Sequence, residues 1–136
     1  MAAKQRVLLF LVVVLLTASC GPESIIKEVK PCQGPEVDNW FKDTYRRIEV
    51  VNSDPNLTTD DLQKLYDQQQ KQMTHICMSQ AQEYATNIFY HQWQASQAIR
   101  EGDLDKSFDH LKTAKEAYDM MVQEINRLAK EYDWEQ

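Results

Sequence analysis

Glycine and proline are scarce in this 136-residue chain, three and four residues respectively, and most of them crowd into the stretch from Gly21 to Pro35. Beyond it only Pro55 and Gly102 remain as strong backbone breakers, which leaves room for long helices. No run alternates apolar with polar residues, so no half-buried strand is expected. Motifs that carry common chemistry are missing too. There is no glycine-rich phosphate loop and no GxSxG elbow, so neither phosphate cradling nor a hydrolase nucleophile has a local signature. The three histidines, His75, His91 and His110, form no HxxxH or HExxH pattern, and the ExxH pairs of di-iron bundles are absent. The cysteines form no CxxC, which leaves no motif for thioredoxin-like chemistry or haem c attachment. Cations are few. Against 21 Asp and Glu stand 15 Lys and Arg, and the net charge of −6 offers no basic footprint for nucleic acid.

What is present starts with Lys4 and Arg6, the unbroken apolar run Val7 to Leu16, and the small residues Thr17, Ala18 and Ser19. Cations, an apolar stretch and small residues in that order make a secretory signal. Ten apolar residues fall well short of the roughly 20 that a helix needs to cross a bilayer. Leu16-Thr17-Ala18-Ser19-Cys20 resembles the lipobox of bacterial lipoproteins, with Thr17 where leucine is usual. The resemblance covers residues 1–21. It implies that the Cys20 thiol receives a diacylglyceryl group and that residues 1–19 are removed. The remainder is then held to a cell-envelope membrane, on the extracytoplasmic side, by acyl chains such as palmitate. Removing residues 1–19 takes Lys4 and Arg6 from the 15 cations and no acid from the 21, so the mature net charge is −8. Such a chain has no polybasic hold on anionic lipid, and several acyl chains together supply the stable anchoring that one does not.

With Cys20 consumed by lipid, Cys32 and Cys77 become an even pair in a compartment that can be oxidising, and a disulfide between them is expected. Closing that loop contributes roughly 3–4 kcal/mol by the chain-entropy estimate. The alternative leaves Cys77 a buried thiol and Cys32 free in a flexible arm.

Three segments follow: a signal peptide (1–19), a lipidated Pro- and Gly-containing tether (20–35) and one helical domain (36–136), with length for a single modest core. Val37, Trp40, Phe41, Tyr45 and Ile48 recur at helical spacing, and Asn52 to Pro55 end that helix. A second start lies at Thr58, with Asp60 and Asp61 in the first turn. This helix is the least secure, because Asp67 to Gln72 is polar all round and Thr74 and His75 interrupt or kink it. A third helical stretch runs from Cys77 to Arg100. Gly102 and Asp103 then form the clearest turn, Gly102 closing one helix in the left-handed conformation and Asp103 capping the next. The turn resembles that of tetratricopeptide-type repeats, but no second copy follows at the required period. The last helix carries Leu104, Leu111, Ala114, Tyr118, Met121, Ile125, Leu128 and Tyr132 in a near-heptad seam that faces its own bundle or a second copy. The prediction is an all-α antiparallel bundle of three or four helices.

Candidates for chemistry are sparse. Ser107 with His110 is an ordinary helix-surface spacing. Cys77 with His75 is reactive only if Cys77 is a free thiolate, and a disulfide to Cys32 silences it. Paired acids such as Asp60 and Asp61 are most simply first-turn helix charges, so no enzyme, metal or cofactor is expected. The best lead is the aromatic group Tyr84, Phe89, Tyr90 and Trp93, whose members point in two directions on one helix and offer contact area to a protein or peptide partner. The expected role is a non-enzymatic interaction or accessory lipoprotein. The alternative is a small-ligand or cofactor carrier, with an internal cavity lined by Met78, Phe89, Tyr118 and Met121 and at least one histidine pointing inward.

Overall fold

The computed structural model describes residues 31–134, so the signal-like segment, Cys20 and most of the tether lie outside the described residues. Gly34, at φ 105° where an L side chain is strained, turns the chain into α1 (Pro35–Ser53). Pro35 then fills a first-turn position whose N–H has no helical partner in any case. Glu36 and Asp38 sit in the same turn, at the positive end of the helix dipole. Asp54 to Thr58 connect to α2 (Thr59–Gln70), which opens on a capping box. The Thr58 hydroxyl accepts the Asp61 amide while the Asp61 carboxylate accepts the Thr58 amide.

Helix α2 ends at Gln70, and Thr74 and His75 do interrupt the helical path. A 3-10 turn, Ile76–Met78, leads into α3 (Ser79–Arg100), and α4 (Leu104–Glu131) follows. Between α3 and α4 the turn expected from Gly102 and Asp103 forms in full. Gly102 takes φ 79°, its amide and that of Asp103 donate to Ile99 O and Ala98 O, and the Asp103 side chain accepts the Lys106 amide. One short segment thus satisfies the end of α3 and the start of α4.

The fold is all-α, a four-helix bundle among the described residues, with α3 at its centre. Helix α3 packs along α4 on one side and α2 on another. It buries Ala81, Ala85, Ile88, Phe89, Ala95 and Ala98, while α4 buries Ser107, Ala114, Ala117, Met121 and Leu128. Small side chains on both helices let the two axes come close. Cys32, Val37, Trp40, Ile48, Met78 and Phe89 complete the core. Cys32 is fully buried, so the packed unit starts before residue 36, within the segment 20–35 expected as a tether.

Helix α1 meets α2 quite differently, across a buried polar network. Arg47 donates through Nη1 to Gln69 Oε1 and Gln72 Oε1, both at 2.7 Å. Gln69 Nε2 donates to Thr44 Oγ1 and Gln82 Oε1, and Trp40 Nε1 donates to the same Gln82 oxygen at 2.6 Å. Thr44 and Gln69 are fully buried and Arg47 is 8% exposed. Within the polar stretch that makes α2 look insecure, Gln69 and Gln72 thus face an interior seam while Gln68, Gln70 and Lys71 face solvent, and the seam holds because nearly every buried donor and acceptor in it is paired.

Candidate functional site

Three places bring reactive or recognition-competent side chains together. The first follows from the width of the apolar surface on α4. Its buried residues form one stripe, and Leu104, Phe108, Leu111 and Tyr118 form a second, about a quarter-turn round the helix. Spaced by four, three and seven residues, these four share a face. Leu104 is 59% exposed and Phe108 65%. Leu111 and Tyr118 border a cleft of about 220 Å³. Ile48, Val51 and Asn52 of α1 make its other wall, with Ile88, Phe89 and Gln92 of α3 beneath. A shallower hollow on α1, lined by Lys42, Tyr45, Arg46 and Glu49, adjoins it and shares Ile48 and Asn52. Burial raises the Tyr45 hydroxyl above its ordinary pKa, and Tyr118 adds to the effect.

The cleft does not match the internal cavity expected of a ligand carrier. Phe89 and Tyr118 contribute to it, but Met78 and Met121 are fully buried in the core and no histidine lines it. Its volume also falls below the roughly 300 Å³ at which small-molecule pockets usually begin.

The second place holds the aromatic group. Phe89 is fully buried, because α3 is the central helix and this residue faces its neighbours, and it lies at the floor of the cleft rather than with the other three aromatics. Tyr84 is partly buried against the core. Tyr90 and Trp93 come together with Tyr66 of α2. Tyr66 stacks on Trp93 at 5.6 Å between ring centroids, and Tyr90 meets both edge-on or tilted. The cluster continues through His91, whose ring meets Tyr90 edge-on and whose Nδ1 lies 2.9 Å from Nδ1 of His110 on α4. One imidazole must donate to the other, so both cannot carry protons on these nitrogens. Burial, and secondarily the charge of His110, lowers the His91 pKa.

The third place is the cysteine pair. The sulfurs of Cys32 and Cys77 are 1.97 Å apart, a disulfide, with Cα atoms separated by 5.8 Å. His75 Nδ1 lies 3.0 Å from Cys77 Sγ and accepts the Cys77 amide at 3.2 Å. Cys32 is also gripped by the far end of the chain, since Trp134 Nε1 donates to Cys32 O at 2.6 Å while its ring packs edge-on against Phe41. Asp133, in the left-handed region at φ 49°, turns the end of α4 so that Trp134 reaches this position rather than fraying. The donor atoms of Cys32, His75 and Cys77 lie within 4.8 Å of one another, the one such group of three among the described residues. With the two sulfurs bonded to each other, neither is the thiolate that a metal requires.

Two features go beyond the candidates named from the sequence, though each leaves a signal there. Phe108 stands off the heptad seam, and its signal is the four-residue step from Leu104. The His91–His110 pair was legible in principle, because a hairpin folded near residue 101 sets 91 opposite 110. No described helix is long and apolar enough to cross a membrane. No protein-family model, no curated protein and no solved structure matches this chain.

Proposed function

We propose that this protein is a lipid-anchored, extracytoplasmic, non-enzymatic interaction module that receives an apolar-faced helix of another protein in the cleft between α1 and α4. The observation that carries this reading is the exposed stripe Leu104, Phe108, Leu111 and Tyr118 running into that cleft. Apolar side chains at steps of three, four and seven beside a groove are what a helix-in-groove contact uses. The cleft is small and borders a broader hollow, which suits side-chain knobs of a partner helix better than an enclosed small molecule.

The occupant is a different protein rather than a second copy. Two mature chains would each bring a charge of −8, and that repulsion opposes self-association. The cleft and its neighbouring hollow are locally more basic, lined by Lys42, Arg46 and Lys115 with Glu49 the single acid. Asp43 and Asp119 pair with Arg46 and Lys115 from the side, so the field there is near neutral and apolar contact dominates.

Attachment and docking are tested separately. Intact mass of the membrane-extracted protein is expected to show loss of residues 1–19 and the addition of acyl chains; an unlipidated chain removes the anchor from the proposal. For docking, a photo-crosslinking amino acid is placed in the full-length chain at Phe108 or at Leu111, and at Glu116 on the polar back of α4 as the control. The expected result is a crosslink from 108 and 111, not from 116, to an amphipathic helix of one other protein, located by peptide-resolved mass spectrometry. Crosslinks to lipid, or to a second copy of this chain, would overturn the reading.

A further inference from the structure

We propose that Cys32–Cys77 is a thiol–disulfide exchange site, in which Cys77 is the sulfur that forms the mixed disulfide and His75 carries the proton. The two sulfurs are in unequal positions. Cys32 is fully buried under Trp134, whereas Cys77 is half-buried on the segment between α2 and α3. Of the two residues, Cys77 is the one that solvent reaches.

Three features surround that sulfur. His75 Nδ1 stands 3.0 Å from Sγ, within reach for proton transfer once it gives up the Cys77 amide that it accepts in the disulfide form. Cys77 precedes Met78, the N-cap residue of the 22-residue helix α3, whose N-terminal dipole favours an anion. The flanking residues are the third. Met73 is 87% exposed and Ile76 84%, the most solvent-exposed large apolar side chains among the described residues. A disulfide that serves only to staple the fold requires none of the three. Together they suit a partner dithiol protein that grips a short apolar segment while its thiolate reaches the sulfur beside it.

The exchange balances without any further reagent. A partner thiolate attacks Cys77 Sγ, a new sulfur–sulfur bond forms, and the Cys32–Cys77 bond breaks with its electron pair on Cys32. Cys32 takes a proton, relayed from water through the His75 ring, whose nitrogen lies within 4.8 Å of both sulfurs. The second thiolate of the partner then attacks its own sulfur in the mixed disulfide and releases Cys77 as a thiolate, while His75 takes back a proton from water and, with the end of α3, holds that anion. The partner dithiol is oxidised to a disulfide, and Cys32 and Cys77 become two thiols. Run backwards, the same steps oxidise the pair.

The full-length chain is exposed to glutathione under native conditions at neutral pH, quenched with acid and mapped by mass spectrometry, so that each cysteine is read in its own peptide. The expected adduct is on Cys77, exceeding that on Cys32 at least about tenfold. In a Cys32→Ser variant, which frees Cys77 without any reductant, ultraviolet thiolate absorbance is expected at neutral pH. Adding His75→Gln should abolish that absorbance and slow alkylation of Cys77 about tenfold, the change that follows from one unit of thiolate pKa. Adducts on Cys32, or a bond that opens only once the chain is unfolded by denaturant, would overturn the proposal. So would a Cys77 whose absorbance and alkylation ignore the loss of His75.

Discussion

Helices α1 and α4 are both outer members of the bundle, yet they are attached by different means. Helix α4 lies along α3 over a continuous seam of small and apolar residues, and nothing covalent is needed to hold it. Helix α1 stands further off, reaches the core through Val37, Trp40 and Ile48, and adds discrete fasteners to that contact. These are the Arg47–Gln69–Gln82 network, the disulfide just before its first turn, and Trp134 pressed against Phe41. Continuous packing spreads stability over many residues, whereas fasteners concentrate it in a few. Each fastener on α1 is therefore a point at which the hold on that helix can be loosened before the rest of the bundle gives way.

The largest effect is expected on the packed side. Phe89→Ala removes a fully buried ring from the central helix and should cost about 3–5 kcal/mol, read by denaturant melts. Its signature is a loss of amide-exchange protection across α3 and α4 together. Opening the disulfide, which spans 45 residues of sequence, should cost roughly 3–4 kcal/mol by the chain-entropy estimate. Here exchange should quicken first in α1 and leave α4 protected. Equal loss in both helices would erase the distinction between them.

The polar seam gives a smaller and more diagnostic effect. Gln69→Leu keeps the volume but leaves Arg47, Thr44 and Gln82 short of a partner, for about 1–3 kcal/mol. Arg47→Met combined with Gln69→Leu should cost less than the two changes added, because the second no longer strands a charge. Additivity within experimental error would show that the network is not acting as a unit.

The smallest effect is the histidine pair. His91 has a folded pKa below its ordinary value of 6.5, so the folded state binds the proton less readily than the unfolded chain. Its contribution to stability is fully present above pH 6.5, declines as the pH falls through that value, and levels off below the folded pKa. Solvent screening keeps the term under about 1 kcal/mol, hence a loss of a few degrees in Tm between pH 7 and 5. His110→Gln should shrink that loss, and an unchanged pH profile would show that the two imidazoles are not coupled.

The comparison of α1 with α4 also explains what could be read from the residues. Helix α4 and the Gly102 turn were legible because apolar periodicity and a glycine in the left-handed region have local causes. The disulfide followed from counting cysteines once Cys20 was given to lipid. The seam under α1 was not legible, since Gln69, Gln72 and Arg47 look the same in sequence whether they face water or each other. The candidate sites divide along the same line. Tyr90 and Trp93 were found by composition, but their partner Tyr66 comes from another helix. Phe89 was drawn into the group because the spacing of aromatics along one helix does not say which face is already covered. Cys77 and His75 were visible as neighbours, while the exposure of Met73 and Ile76 beside them depends on how α2 ends.

The position of the disulfide also decides how the domain would bear tension. A pull delivered along the chain from the N-terminal side of Pro31 enters at Cys32 and crosses directly to Cys77 at the head of α3. Everything between those cysteines, α1 and α2 included, hangs as a covalent loop outside the load path. Strain from a tether would thus be carried by the tightly packed α3–α4 pair, and the α1 wall of the cleft would keep its shape under load until the bond is opened.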